Sequence, residues 1–186
     1  MATQYFTATS LDGYIADEKN SLEWLFEADR DGTGDTSFAD FFAQVGAIAM
    51  GATTYLWVLE HERLVEEPAK WQTYYGETPS WVFTHRELPR VPGAHVTFVQ
   101  GDVAPVHMKM MQAAGGKNIW LAGGGELVGQ FVDHGLLDDI FLTVAPATLG
   151  RGAPLLPRRL SASDLELVEV ARDRQFAKLR YRVRRR

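Results

Sequence analysis

NIWLAGGGELVGQFVDHGLLDDIFLTVAPA, residues 118–147, carries the reading on which the fold turns. The apolar run NIWLAG (118–123) ends in three consecutive glycines, Gly123, Gly124 and Gly125, followed by the amphipathic segment ELVGQFVDHG and a second apolar run, DDIFLTVAPA (138–147). Short apolar runs on either side of a period-3.6 segment predict strand, helix, strand. Glycine loses more backbone freedom on folding than any other residue, so a triplet at a helix entrance needs a reason. Two reasons stand open. The glycines make a close-packed turn, or they leave bare N–H groups at the positive end of a helix for an anion. A dinucleotide fingerprint of the Rossmann kind is excluded by spacing. Its third small residue falls at position 128, where Val128 stands, and the acidic pair Asp138–Asp139 starts the next strand instead of ending it.

The same alternation extends outward. TQYFTAT (3–9), AIAMG (47–51), PSWVFTH (79–85) and HVTFVQ (95–100) predict strands. TSFADFFAQV (36–45), ATTYLWVLEHER (52–63) and VAPVHMKMMQAAG (103–115) predict helices, and DRDGTGD (29–35) a loop. The end of the chain changes character: DLELVEV (164–170) and QFAKLRYRV (175–183) flank ARDR, a hairpin turn. In the second of these, Lys178, Arg180 and Arg182 alternate with apolar residues and predict one wet face. Together these elements predict an α/β fold with a mostly parallel central sheet and a C-terminal antiparallel hairpin. No repeat or linker interrupts the chain, so residues 1–186 are expected to form a single domain.

Composition narrows the function. The chain is 46% apolar and 23% charged with a formal net charge of -5, the profile of a soluble globular protein. It has no cysteine, hence no disulfide, no thiolate nucleophile and no cysteine-based zinc site. Its five histidines show no metal-ligand spacing, so no metal is expected. No apolar run approaches the ~20 residues of a membrane span, and the N-terminus lacks a signal pattern, so a cytoplasmic location is expected. The basic tail RYRVRRR is assigned to the wet strand face, and no nucleic-acid partner is expected.

Two further junctions resemble the glycine triplet in kind. In MGATTY (50–55), Gly51 precedes Thr53 and Thr54, whose hydroxyls either cap a helix or donate to a phosphate. In FTHREL (83–88), Thr84, His85 and Arg86 follow a strand and suit a phosphate, or form a solvated loop with one capping threonine. Ligands of open α/β sheets bind at the carboxyl ends of the strands, where all three junctions fall. Asp35 precedes the Phe-rich helix. It is either an N-cap or an acid that meets a substrate beside a wall of Phe38 and Phe42, while Asp40 is expected on the outer, solvated face.

SLDGYIAD (10–17), EWL (23–25), MGATTY, VFTH, LAGGGEL and TLGRGAPLLP (148–157) occur in an order that resembles the dihydrofolate-reductase-like family, which includes the C-terminal reductase domain of bacterial riboflavin biosynthesis proteins. The resemblance spans nearly the whole chain. It implies a three-layer fold on a mixed sheet of about eight strands, NADPH as hydride donor, a small-molecule substrate of pterin, pyrimidine or riboflavin-precursor type, and a homodimer. By position it implies that Leu11 to Ala16, with Gly13 and Ile15 among them, flank the nicotinamide, with Ala8 at the end of the first strand. Gly51, Thr53 and Thr54 would meet the pyrophosphate or substrate. Thr84, His85 and Arg86 would surround the adenosine end, and Gly123, Gly124, Gly125, Glu126 and Leu127 would cradle the pyrophosphate. Asp35 would be the catalytic carboxylate. Where the family commonly has Gly-Arg-x-Thr, this chain has Ala52 after Gly51, so one cation for a 2′-phosphate is missing; either Arg86 substitutes for it or the preference for NADPH over NADH is weaker. The alternative reading is a non-catalytic nucleotide-binding module of the same fold.

Overall fold

A computed structural model describes residues 1–29 and 37–184. Its frame is a run of parallel strands, of which the central β3 (Val45–Gly51) is buried on both faces. There Ala47 and Ala49 face one side and Ile48 and Met50 the other, all 0–1% exposed. Such continuous apolar strands are what a sheet covered on both faces requires. β1 (Thr3–Thr9), β2 (Tyr14–Ala16), β4 (Ser80–Phe83), β5 (Val96–Val99), β6 (Asn118–Gly123), β7 (Asp139–Val144), β8 (Ala153–Pro154), β9 (Leu165–Asp173) and β10 (Phe176–Val183) complete the strands. Eight of them form one sheet in the order β5-β4-β3-β6-β1-β7-β10-β9, and β2 pairs with β8 in a separate ribbon. The strands from β5 to β7 run parallel, and β10 is antiparallel to both β7 and β9. The mostly parallel sheet with a C-terminal hairpin is therefore observed.

Helices cover both faces and make the three layers. α5 (Val103–Ala113) and α6 (Gly125–Asp133) lie on one face. There Val103, Val106, Met110, Val128 and Phe131 pack with Tyr5, Ile119, Leu121 and Ile140. α2 (Phe38–Ala43), α3 (Ala52–His61) and α4 (Ala69–Tyr75) cover the other, where Tyr55, Leu59 and Trp71 pack with Ile48, Met50, Val82 and Trp120. The short α1 (Glu23–Ala28) closes a third cluster, in which Trp24 meets Ala145 and Phe176.

Several boundaries differ from expectation. The hairpin turn is Arg174–Gln175, because Ala171, Arg172 and Asp173 remain paired in β9 and Asp173 sits opposite Phe176. A bulge near Arg180 and Tyr181 shifts the register and leaves Val168 without a partner on β10. Of the three expected on the wet face, Arg182 is exposed but Lys178 and Arg180 are not. Lys178 pairs with Asp173 at 2.8 Å and Arg180 with the buried Asp139 at 3.2 Å, both largely shielded from solvent.

Candidate functional site

The glycine junctions meet at one place. β3 and β6 are neighbours, so α3 and α6 begin side by side at the carboxyl edge of the sheet. The N-cap residues are Gly51 and Gly124, both in extended conformation, and neither helix has a side-chain cap. A Cβ on Gly51 would lie only 3.7 Å from the Gly124 nitrogen. The positive ends of two helix dipoles therefore converge with free N–H groups. Thr53 and Thr54 stand in the first turn of α3. They do not cap it, and neither hydroxyl has a hydrogen-bond partner among the described residues.

The three consecutive glycines have three different reasons. Gly123 holds φ +127°, a backbone that side chains disfavour. A Cβ on Gly125 would run into the backbone oxygens of Pro154 and Leu155, so this glycine admits the β8 segment and not a ligand. Gly124 is the open one: its Cβ would make only an ordinary 3.7 Å contact with Ile15 Cδ1. Both expectations for the triplet thus have a part, a packed turn at Gly125 and an open backbone at Gly124.

A cleft of about 540 Å³ lies over these helix ends. Ile15, Gly51, Thr53, Thr54, Gly124, Gly125, Glu126 and Leu127 line it among others. A smaller pocket of about 180 Å³ shares Gly51 and Leu127 with it and continues to Thr84, His85, Gln100 and Gln130. The remaining expected residues lie elsewhere. Ala8 is on β1 opposite Thr143, Leu11 is exposed at a turn tip, and Gly13 completes that turn with φ +87°. Arg86 is exposed and lines neither pocket; its N–H donates to the Thr84 hydroxyl at 3.0 Å, which ties that hydroxyl into the loop. Asp35 lies outside the described residues. Phe38 and Phe42 pack edge-on against Trp120, at 5.3 and 6.0 Å, and do not line the cleft.

The cleft's far wall is the β2–β8 ribbon, held in place by polar anchors. Asp12 accepts the Ser10 hydroxyl at 2.7 Å and the N–H groups of Gly150 and Leu149 at 2.7 and 3.0 Å. These bonds, the Ser10 hydroxyl first and then the two N–H groups, hold its carboxyl below the usual aspartate range. The fully buried Tyr5 donates its hydroxyl to the Leu155 carbonyl at 3.0 Å, and burial pushes that phenol's pKa up. Trp57 and Asn20 also line the cleft and were not foreseen. Trp57 sits one turn beyond Thr53 and stacks on His61 at 4.5 Å, so helical spacing from the threonines was the available signal.

A second cavity, about 430 Å³, lies on the α2 face of the sheet between α2 and the hairpin. Two of its polar groups meet a third: Asp139 takes Arg180 and the Gln4 amide, and Arg180 lies 4.8 Å over the Phe141 ring, while the buried Arg180 Nε has no partner among the described residues. Asp40 is exposed, as expected, at its rim. Among the described residues, no group of acidic, histidine or cysteine side chains is arranged to hold a metal ion, and no helix is long and apolar enough to cross a membrane.

Comparisons with known proteins agree with this architecture. The chain is 32% identical over 179 residues to the uncharacterized protein YwjB of Bacillus subtilis, covering 96% of both chains, and 28% identical over 154 residues to the uncharacterized protein YyaP of the same organism. Among solved structures it resembles a putative riboflavin biosynthesis protein from Shewanella, with a TM-score of 0.80 and 27% identity over the full length of both. It also resembles a deaminase/reductase of Thermotoga maritima, with a TM-score of 0.63 and 20% identity, spanning 56% of that longer chain. The three-layer dihydrofolate-reductase-like fold is shared throughout. Residues 3–177 match the model of the RibD C-terminal domain, and the chain belongs to that reductase-like family.

Proposed function

We propose that the protein is an NADPH-dependent reductase acting on a pterin-, pyrimidine- or riboflavin-precursor-like small molecule. The observation that carries this reading is the pair of uncapped helix N-termini, α3 and α6, side by side over an open Gly124. These groups fit a dinucleotide. Backbone N–H groups and two unpartnered threonine hydroxyls supply donors to a pyrophosphate, and nothing but Ile15 stands over Gly124. When bound, NADPH supplies the hydride from its nicotinamide ring. The chain's own task is positioning. Ile15, on a ribbon anchored by Asp12 and Tyr5, presses one side of the cleft, while Thr53, Thr54, Gly51 and Gly124 hold the other. Fixing two rings in reacting geometry is worth up to roughly 7–11 kcal/mol of barrier. Thr84 and His85 are assigned to the adenosine end, with Arg86 on the same loop.

Asp35 is proposed, on the family resemblance, as the group that hands a proton to the reduced substrate. Asp35→Asn is then expected to lower turnover while leaving the Kd for NADPH unchanged; unchanged turnover would remove the role. The resemblance also supports a homodimer, and Leu167, Val168 and Val170 on the outermost strand supply exposed apolar surface for one.

Ligand-linked melting tests the reading as a whole. NADPH at ~100 times its Kd stabilises by about 2.7 kcal/mol. For a chain of this size that is a rise of roughly 5–11 °C in Tm. No shift with NADPH or NADH would overturn the proposal. A shift without oxidation of NADPH across pterins, folates and riboflavin precursors would favour a binding module.

A further inference from the structure

Glu126 puts a carboxylate in the first turn of α6, on the lining of the cleft, where the proposed pyrophosphate also needs the helix's positive end. Two anions would compete for it. Arg158 resolves the competition. Its guanidinium grips Glu126 with two bonds, Nη2 to Oε1 at 2.7 Å and Nη1 to Oε2 at 3.1 Å. Its Nε meets both carboxylate oxygens of Asp133, at 3.0 and 2.9 Å, and Nη1 also donates to the Pro157 carbonyl at 2.9 Å. The arginine side chain is only 24% exposed, although its partners are well solvated. It reaches both because position 129, between them on the helix, is glycine. A Cβ there would lie 2.8 Å from the Arg158 Cζ. Glu126, Gly129 and Asp133 follow the i, i+3, i+7 spacing of one helix face, so the groove for the arginine is written along α6.

We propose that Arg158 is a positioning residue for the dinucleotide phosphates. By neutralising Glu126 it keeps the N-terminal N–H groups of α6 for the ligand, and by gripping α6 it holds the Pro154–Pro157 wall of the cleft. This rests on the reading of the cleft as a dinucleotide site. A bidentate arginine fork suits the task, because its planar donors match a carboxylate in a fixed geometry.

The test is charge rescue, read as the Kd for NADPH by fluorescence at low and high salt. Arg158→Gln frees the carboxylate beside the phosphates and is expected to weaken binding about tenfold at low ionic strength. At ~0.5 M salt, where exposed charges are screened, the deficit is expected to shrink to about threefold or less. Adding Glu126→Gln in the same chain is expected to restore binding to within about twofold of the parent. Glu126→Gln alone removes a negative charge beside the phosphates while Asp133 still balances Arg158, and is expected to tighten binding by about threefold. That variant keeps the proposal testable if Arg158→Gln folds poorly. A double variant as weak as Arg158→Gln, a deficit indifferent to salt, or no tightening with Glu126→Gln alone would overturn the proposal. Parent protein that binds neither NADPH nor NADH would overturn the cleft reading itself, and this inference with it.

Discussion

The cavity on the α2 face and the cleft at the carboxyl edge of the sheet differ in what their polar groups already do. On the α2 face, Arg180 is taken by Asp139, Lys178 by Asp173 and the Gln4 amide by Asp139, although the buried Arg180 Nε has no partner among the described residues. At the carboxyl edge, the hydroxyls of Thr53 and Thr54 and the first N–H groups of α3 and α6 have no side-chain partner. Thr53 is exposed and Thr54 half-buried, so these donors are open to solvent and to the ligand proposed for the cleft. The cavity on the α2 face is built around ion pairs, and the cleft leaves its donors open.

The sharpest break of this contrast lies within the glycine triplet. Gly125→Val drives a branched side chain into the Pro154 and Leu155 backbone and is expected to cost about 3 kcal/mol or more, a fall in Tm of roughly 6–12 °C. Gly124→Val is expected to leave Tm close to the parent and weaken NADPH at least ~100-fold, close to 3 kcal/mol of binding. If both variants lost stability equally, the glycines would be a turn alone. On the α2 face, Asp139→Asn leaves Arg180 without its partner and is expected to cost about 1–3 kcal/mol in denaturant unfolding, with the Kd for NADPH within about twofold of the parent. Loss of NADPH binding there would erase the distinction between the cavities. Thr53→Val removes a hydroxyl that does not cap its helix. Calorimetry is expected to show stability within about 0.5 kcal/mol and an affinity for NADPH reduced roughly 2–10-fold.

The smallest effect concerns the ribbon that walls the cleft. Asp12 has a folded-state pKa below its unfolded value, so its contribution is fully present above about pH 4 and is lost as pH falls through the folded value. Asp12→Asn is therefore expected to lower Tm at pH 7, with the gap to the parent closing below about pH 4. A gap that persisted to pH 2 would mean that the charge of Asp12 is not what ties residues 149 and 150 to the Ser10 turn.

Long, strongly patterned elements were legible in the sequence. The buried run of β3 and the Gly-led starts of α3 and α6 could be read from composition and punctuation alone. The ribbon of β2 and β8 could not, since three residues and two residues show no periodicity. Nor could α4: AKWQTYY owes its helix to the burial of Trp71, which is a tertiary effect. The turn at Arg174 carries no glycine or asparagine signal, and its φ of 54° is imposed by the strands on either side. Within the site, single junctions were visible, but the Arg158–Glu126 pair was not. Its members are 32 positions apart, and only the return of the chain over α6 joins them.

The strand order has a consequence for how the chain reaches this state. β1 occupies an interior position between β6 and β7, pairing Thr3 with Ile119 and Gln4 with Asp139. During synthesis at about 5–20 residues per second, β1 waits roughly 5–20 s before either neighbour exists. Its apolar residues, Tyr5 and Phe6 among them, spend that interval without the strands that will cover them. A slow search for distant partners after dilution from denaturant follows from the long stretch of chain between β1 and the strands that flank it.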